Sequence, residues 1–437
     1  MKKPLSLVWM VLAPFILAGI FAGCSRSAPR SSAGSAGEVV TIDVWGWETE
    51  QLQATTFEKF NRAFPNIKVT MTLTESADMS QRVQTALASG SKMPDIAWLE
   101  INQRGKLLAL DCWADLAKSP FNVNKADLIG YMLPLSANAR GELVGIDDAP
   151  SMAGFAYKRE LAQEYFGVSE PEDLEALFTS WDVILEKGVK VKRKSNGKVF
   201  MFTGPGDVMN ILKGQNNVPF AENGALNLRK AIGEPLDTIL KFKEAGIIDT
   251  IEQGTPAWNA SMADTAHIFY PAAHWSPQWI IKPNDPDANN TWGIMVPPGG
   301  GFPYGGTCWS IAKNAEHPKE AWDYLNWFLL TNDGAVHRRD DRGYYSALAS
   351  LYSDSSFYTA VDERFGGQDI SRYFTQKILP AVTPSRQVFQ YDLEVADALN
   401  LALKTINSSG GGLTSERLIA SMEQDILGKI PDLKAEK

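Results

Sequence analysis

The chain has 437 residues, of which 44% are hydrophobic and 21% are charged, and its formal net charge is -9. This length predicts two or three compact units, and the ordinary composition excludes a disordered, collagen-like or disulfide-framework protein. An acidic chain without a basic block lacks the excess of Lys and Arg that nucleic-acid binding needs, so no nucleic-acid partner is expected. The 13 Trp residues are a high count. Flat apolar rings suit sites for sugars or cations, although we expect more than half of them in the core.

The N-terminus has the pattern of an export signal. Lys2 and Lys3 precede an apolar run, residues 5–21, which is at the short edge for a membrane-spanning helix. Small residues follow the run, so we predict a signal peptide over residues 1–23. Residues 24–38, rich in Ser, Ala and Gly, are expected to form a flexible tether.

Metal and nucleophile chemistry are not indicated by the sequence. Its four His residues form no HxxxH or HExxH pair, and the CxxC, GxSxG and GxxxxGK[ST] motifs are absent. We therefore expect neither a metal nor a cofactor. Cys112 and Cys308 remain after export; spacing alone cannot show whether they come within disulfide reach, and two buried free thiols are expected.

The folded part begins with alternating strand and helix patterns. The aromatic residues Phe57, Phe60 and Phe64 fall on one helical stripe, and Gly90 is typical of a helix C-terminus. Strand, helix, strand, helix, strand predicts βαβ units with right-handed crossovers, and hence an α/β fold. The predicted elements are a strand at 39–47, a helix at 52–64, a strand at 67–73, a helix at 79–90 and a strand at 95–99.

Polar and aromatic side chains follow two of these strands. Trp47 and Glu48 come after the first, and Glu100 and Asn102 come after the third. Ligands of α/β sheets bind at the carboxyl ends of strands, where an acid can accept hydrogen bonds from hydroxyls while an indole ring stacks on a sugar. These four residues are predicted ligand contacts.

A later strand, residues 198–203, leads through a Gly-Pro-Gly turn to Asp207. Its carboxylate either accepts hydrogen bonds from ligand hydroxyls or caps a helix over residues 208–212. Further on, the pattern predicts a strand at 308–312 and a helix with Pro318 in its first turn.

Five segments of the sequence resemble the extracellular solute-binding proteins that serve ABC importers, in the group that mostly carries carbohydrates. The last segment is the most specific, and the five occur in the family's order. They are residues 40–50 with 57–70 and 81–100, residues 141–161, Ser180-Trp181-Asp182, residues 256–280 and residues 304–330.

The export signal carries a second resemblance. Phe21-Ala22-Gly23-Cys24 is similar to the bacterial lipobox, although Leu is commoner at the first position. In lipobox proteins, cleavage leaves the cysteine as the new N-terminus with lipid on its sulfur. The resemblance implies a lipoprotein anchored to the membrane through Cys24, on the periplasmic or extracellular face.

The family resemblance implies a two-lobed, type II-like α/β clam, in which each lobe is a mostly parallel sheet flanked by helices. The ligand lies in the cleft between the lobes, hinge closure captures it, and a membrane permease receives it from what is expected to be a monomer. The implied first lobe is 39–146 plus 307–350, and the implied second lobe is 147–303 plus 351–437.

The resemblance also implies further ligand contacts. Asp147 and Ser151 lie at the crossing between the lobes, where Asp148 is an equal alternative to Asp147. The stacking candidates are Trp275, Tyr304 and Trp309, and Tyr345 lies in the return crossing.

Acids dominate these candidate contacts, which suits a neutral polyol or a cationic solute and disfavours a phosphate or carboxylate ligand. The resemblance favours a sugar, and specifically an oligosaccharide. The alternatives are a polyamine carrier, a ferric-ion carrier that uses Tyr344 and Tyr345, a ligand-sensing receptor subunit, and a glycosidase that uses Glu48 and Glu100.

Overall fold

The computed structural model of the protein describes residues 38–435. The predicted export signal and Cys24 therefore lie outside the described residues, as does nearly all of the predicted tether. The first elements are β1 (Val40–Gly46), α1 (Glu50–Ala63), β2 (Ile67–Leu73), α2 (Met79–Ser89), β3 (Ile96–Glu100), α3 (Ile101–Leu108), α4 (Leu133–Ser136), β4 (Ile146–Asp147) and β5 (Met152–Lys158).

The middle of the chain is mainly helical. Its elements are α5 (Arg159–Phe166), α6 (Pro171–Leu177), α7 (Trp181–Lys194), α8 (Pro205–Gly214), β6 (Ala221–Glu222), β7 (Ala225–Leu226), α9 (Leu228–Ala245), α10 (Pro256–Ala260), β8 (Phe269–Ala273), α11 (Lys282–Asn284), β9 (Trp292–Met295) and β10 (Phe302–Pro303). The last third has β11 (Thr307–Ile311), α12 (Pro318–Leu330), α13 (Asn332–Arg342), β12 (Val361–Asp362), β13 (Gln368–Asp369), α14 (Ile370–Tyr373), α15 (Asp392–Ser408) and α16 (Ser415–Lys429).

The first sheet has five strands in the order β2-β1-β3-β11-β4. Strands β1, β2 and β3 run parallel, as the βαβ pattern predicts, whereas β11 is antiparallel to both β3 and β4. The carboxyl ends of β1 and β3 therefore lie at one edge, together with the start of β11. We call the elements around this sheet the first lobe.

The second sheet is built around β5, which pairs with β8 on one side and with β9 and β10 on the other. All three pairings are antiparallel, so a mostly parallel sheet was the wrong prediction for this lobe. Parallel pairing occurs here in isolated bridges, among them those at Phe200 and Phe202. A continuous strand over 198–203 does not form. We call the elements around this sheet the second lobe.

Local sequence explains where several helices begin and end. Thr49 caps α1 by accepting a hydrogen bond from the Leu52 amide, and Gly90 ends α2 at φ 66°, a left-handed conformation that glycine adopts readily. Pro318 is in the first turn of α12, where a backbone N–H would have no partner within the helix, so proline loses no hydrogen bond there. Gly204, rather than Asp207, is the N-cap of α8, because Pro205 already starts the helix.

Each lobe has its own hydrophobic core. In the first lobe, Phe60 of α1 packs against Tyr324 and Trp327 of α12, and Trp98 stacks on Trp309 with ring centroids 5.0 Å apart. Aromatic rings from β5, β8 and α7 fill the second lobe. The predicted two-lobed α/β architecture is confirmed, with α helices on both sheets.

The chain crosses between the lobes at several points. β4 pairs with β11 in the first sheet before β5 enters the second, and β10 leads directly into β11. Residues 385–392 contact both lobes, since the Gln387 side chain donates to the Asn138 carbonyl while Arg386 stacks on Phe220. The residue boundaries predicted for the two lobes remain a prediction. Among the helices within residues 38–435, none has the length and apolarity that crossing a membrane requires.

Candidate functional site

A cleft of about 790 Å³ lies between the two lobes. Its first wall is formed by the strand ends of the first sheet, and its second by α8, α15 and the loops that follow β8 and β10. This volume is typical of a small-molecule site. The predicted contacts that line it are Trp47, Glu100, Asn102, Trp275 and Tyr304.

Two aromatic rings form a stack on the second-lobe side of the cleft. Trp275 lies just after β8 and Tyr304 just after β10, with ring centroids 5.7 Å apart and planes 26° from parallel. Both rings are half-buried, so each keeps part of its surface open to the cleft. Offset stacks of this kind offer a flat apolar face of fixed orientation.

The first-lobe side combines one indole ring with polar groups. Trp47 is half-buried and meets Trp98 edge to face at 5.5 Å. Glu100 caps α3 by accepting hydrogen bonds from the backbone amide and the side chain of Asn102, at 2.8 and 3.0 Å. Burial raises the pKa of Glu100, although these hydrogen bonds and nearby Arg104 oppose the shift.

Gly306, which lines the cleft, lies close to Ser151. Gly306 has φ 116°, and a Cβ atom there would lie 2.5 Å from the Ser151 hydroxyl oxygen. Ser151 is 2% exposed, so it lies behind the glycine rather than in the cleft, where the sequence predicted a contact. Its hydroxyl has no hydrogen-bond partner within residues 38–435.

Asp147 was predicted to contact ligand, but it is buried in an ion pair. Its Oδ1 accepts a hydrogen bond from Arg104 Nη1 at 2.7 Å, and its other oxygen accepts from Ser136. The alternative, Asp148, does not line the cleft either. Burial raises the Asp148 pKa to about 7, although the charge of Arg338, which also donates to its backbone carbonyl, opposes the shift.

Asp207 is also fully buried, in the first turn of α8. Thr203, Trp258 and Gln253 donate hydrogen bonds to its carboxylate, the last two at 3.1 and 3.0 Å. Burial raises its pKa to about 6 despite these bonds. Neither predicted role is observed: Gln253 lies between Asp207 and the cleft, and Gly204 holds the N-cap position.

Glu48 follows β1 as predicted, but its side chain turns away from the cleft. It forms an ion pair with Arg342 of α13 and accepts a hydrogen bond from Gln53. Trp47, predicted by the same position after β1, lines the cleft, whereas the partner that holds Glu48 lies 294 positions away in the sequence. Sequence spacing carries no signal for such a pair.

Two of the predicted aromatic contacts, Trp309 and Tyr345, lie in the core. Trp309 is 2% exposed and stacks between Trp98 and Phe328, each 5.0 Å away. Tyr345 is 4% exposed, and its hydroxyl donates to Ser371 at 2.9 Å. Neither side chain is available to a ligand in this structure.

Several cleft residues were missed by the sequence analysis. Lys213, at the end of α8, and Arg386 bring positive charge to the cleft. The long helix α15 contributes a whole face. The helical spacing of that face is a signal that could have found it, and its members are Asp392, Val395, Ala396, Leu399, Asn400, Leu403, Lys404 and Asn407.

Residues 55–363, more than half of the chain, match the family described as bacterial extracellular solute-binding protein. The chain belongs to this family. The match begins within α1, after β1, and includes β2–β12 together with both aromatic residues of the Trp275–Tyr304 stack.

Known relatives of this solute-binding protein span nearly the same length. A lactose-binding protein from Rhizobium radiobacter is 23% identical over 393 residues, which cover 85% of this chain and 89% of the relative. A solved extracellular solute-binding protein of family 1 has a TM-score of 0.79 at 19% identity, covering 89% of this chain and 98% of that one.

A further structural neighbour of this solute-binding protein is the galacto-N-biose/lacto-N-biose I-binding protein of an ABC transporter from Bifidobacterium longum. Its TM-score is 0.70 at 19% identity, with 92% of this chain and 99% of that chain covered. At these identities the neighbours establish the two-lobed fold. Within residues 38–435, no group of three or more His, Cys, Asp or Glu side chains is arranged to hold a metal ion.

Proposed function

We propose that this protein captures an oligosaccharide in the interlobe cleft and delivers it to the membrane permease of an ABC importer. In this proposal the chain is a monomer, exported and lipid-anchored through Cys24. The family description supports a location outside the cytoplasm. The names of the relatives support a sugar, since they bind lactose and galacto-N-biose or lacto-N-biose.

The observation that carries the proposal is the Trp275–Tyr304 stack inside the cleft. The C–H faces of a sugar ring pack well against a flat aromatic face, and the hydroxyls around its rim need hydrogen-bond partners. Glu100, Asn102 and Asn400 lie on the cleft walls and supply acceptors and donors for those hydroxyls. One aromatic platform with polar groups around it is therefore the expected design of a sugar site.

Hinge closure provides the capture step. A ligand that touches both walls binds the closed form more tightly than the open form, and this difference in affinity shifts the population towards closure. Trp47 on the first lobe and Trp275 on the second give such a ligand an apolar contact on each side. Closure also excludes water from the cleft, which strengthens the remaining hydrogen bonds.

We propose binding without bond cleavage. A glycosidase needs two carboxyl groups about 5 to 9.5 Å apart across the scissile bond. The sequence offered Glu48 and Glu100, but Glu48 is held by Arg342 and does not line the cleft. This arrangement supports a carrier rather than a hydrolase.

An unpaired cation in the cleft argues against a polyamine carrier. Lys213 forms no ion pair within residues 38–435 and would repel a cationic solute. A ferric carrier is also disfavoured: Tyr345, one of its two candidate ligands, is bonded to Ser371 in the core.

Isothermal titration against neutral mono- and oligosaccharides, spermidine and ferric citrate tests the proposal. We expect one or more oligosaccharides to bind and the radius of gyration from X-ray scattering to fall on binding. Binding of spermidine or ferric citrate alone, or release of reducing ends from the sugar, would contradict it.

The choice between carrier and sensor needs cells rather than purified protein. We expect deletion of the gene to abolish uptake of the bound, radiolabelled sugar, while induction of sugar-responsive genes by an internally supplied sugar is unchanged. Normal uptake in the deletion strain would support a receptor subunit instead.

A further inference from the structure

Lys213 is the cation of the cleft that lacks a counter-charge. It lies in the last turn of α8 and lines the cleft wall. Within residues 38–435 its ammonium group forms no ion pair and no hydrogen bond. Burial lowers the pKa of Lys213, and the nearby charge of Arg386 lowers it further, whereas Asp392 opposes the shift.

The neighbouring Arg386 is already paired. Its Nη2 lies 2.8 Å from the Asp392 carboxylate, and its guanidinium group stacks 4.0 Å above the Phe220 ring. Only 19% of the Arg386 side chain and 11% of the Asp392 side chain are exposed. This end of the cleft therefore holds two cations and one anion, and Lys213 carries the uncompensated charge.

The remaining acids of the cleft do not neutralise Lys213. Glu100 accepts hydrogen bonds from Asn102, and Glu252 faces Lys404 at 3.6 Å. The acids Glu48, Asp147 and Asp207, which led the sequence analysis to disfavour a carboxylate ligand, all have partners outside the cleft. The end of the cleft around Lys213 is thus more positive than the acid-rich set of predicted contacts indicated.

An unpaired ammonium group becomes costly when a cleft closes, because closure removes its water. The hydroxyls of a neutral sugar replace some hydrogen bonds but bring no charge. A carboxylate on the sugar ring supplies the counter-charge that Lys213 lacks. The aromatic stack then holds the ring, while Lys213 holds its acidic substituent.

We propose that the solute of this cleft is an acidic oligosaccharide, whose uronic-acid carboxylate pairs with Lys213. This inference rests on the proposed function, since it specifies the class of sugar. It assigns Lys213 as the residue that discriminates an acidic sugar from the neutral sugar of the same linkage.

The test compares matched pairs of sugars that differ only in oxidation at C6. The probes are α-1,4-galactobiose with α-1,4-digalacturonate, and each neutral sugar that binds in the titration panel with its C6-carboxylate form. We expect the acidic member of at least one pair to bind about tenfold more tightly than its neutral counterpart. In Lys213→Met, the two members of that pair should bind within about twofold of each other.

Lys241→Met is the matched control, because it removes the same charge from an exposed position on α9 and should keep the acidic preference. Lys213→Gln is the second variant if Lys213→Met fails to fold. Two results would overturn this inference and leave the proposed function standing. In the first, the neutral sugar of every pair binds as tightly as its acidic counterpart. In the second, the preference for the acidic sugar survives the loss of Lys213. Absence of binding by every sugar, acidic or neutral, would overturn both.

Discussion

Arg104 of α3 and Asp147 of β4 form a fully buried ion pair, with 2.7 Å between Nη1 and Oδ1. The two residues are 43 positions apart, and the carboxylate belongs to the strand that precedes the crossing to the second lobe. The pair therefore fixes the start of the crossing to the first lobe, so that hinge motion has to begin after it.

Removing one partner of this pair should destabilise the protein strongly. We expect Arg104→Met to lower the free energy of unfolding by about 3–5 kcal/mol, because it leaves the Asp147 carboxylate buried without a counter-charge. Chemical denaturation monitored by Trp fluorescence measures the loss. Arg62→Met is the control: its pair with Glu58 is 72% and 65% exposed and should contribute less than about 1 kcal/mol. Equal losses in the two variants would contradict the assignment.

Glu48 and Glu100, the acids that follow β1 and β3, should differ in their contribution to sugar affinity. We expect Glu100→Gln to weaken sugar binding by about 1–2 kcal/mol, since it removes a charged acceptor from the cleft wall. Glu48→Gln should leave sugar affinity within about twofold, because Glu48 faces Arg342. Titration calorimetry with the same sugar compares the two variants. A larger affinity loss in Glu48→Gln would place the ligand differently.

The aromatic stack should contribute to affinity more than to folding. We expect Trp275→Ala to cost about 1–3 kcal/mol of sugar binding, by analogy with stacking of a flat ring on an aromatic side chain. Because the ring is only half-buried, we expect the substitution to leave the melting temperature of the empty protein nearly unchanged. Trp279→Ala is the matched control, because that ring is 51% exposed and does not line the cleft. Unchanged affinity in Trp275→Ala would remove Trp275 from the site.

Regular elements were the part of the fold that the sequence predicted well. The strand at 67–73 matches β2, and the predicted stop at Gly90 is the observed end of α2. Periodicity and capping are local, so a few neighbouring residues determine them. The antiparallel pairing of β5 with β8 depends on residues more than a hundred positions apart, and no local pattern encodes it.

The candidate site was predicted less completely, for a physical reason. Position after a strand selected Trp47 and Glu100, which line the cleft. Neither Glu48, selected by the same rule, nor Asp147, implied by the resemblance, lines the cleft, because a distant Arg binds each carboxylate. Whether an acid is free for a ligand depends on tertiary partners, and the sequence does not show these.

Asp207 should give the protein a measurable dependence of stability on pH. Burial raises its pKa from 3.8 to about 6, so between these values the folded protein binds more protons than the unfolded chain. The contribution of Asp207 to stability therefore falls as pH rises from 4 to 6, by at most about 3 kcal/mol. His267, whose charge opposes the shift, is the titratable neighbour.

Asp207→Asn should flatten that dependence. The Asn oxygen keeps the bonds from Gln253 and Trp258, and the Thr203 hydroxyl can turn to accept from the new amide. Denaturation series at pH 4, 5, 6 and 7 on both proteins measure the difference. Parallel stability curves would show that Asp207 does not titrate in this range. An exposed carboxylate variant, Asp182→Asn on α7, controls for the lost charge.

Gly105 should be required for the contact between the lobes. A Cβ atom at this position of α3 would lie 2.0 Å from the Phe389 carbonyl oxygen, in the segment that leads into α15. Gly105→Ala forces that segment away, so we expect a stability loss of about 1–3 kcal/mol and weaker sugar binding as the α15 face leaves the cleft. Gly428→Ala on α16, which has nothing within 4 Å, should instead be neutral or slightly stabilising. X-ray scattering of the sugar-loaded variants completes the test. Only Gly105→Ala should show a larger radius of gyration than the parent protein. Equal radii would mean that closure does not depend on this close approach.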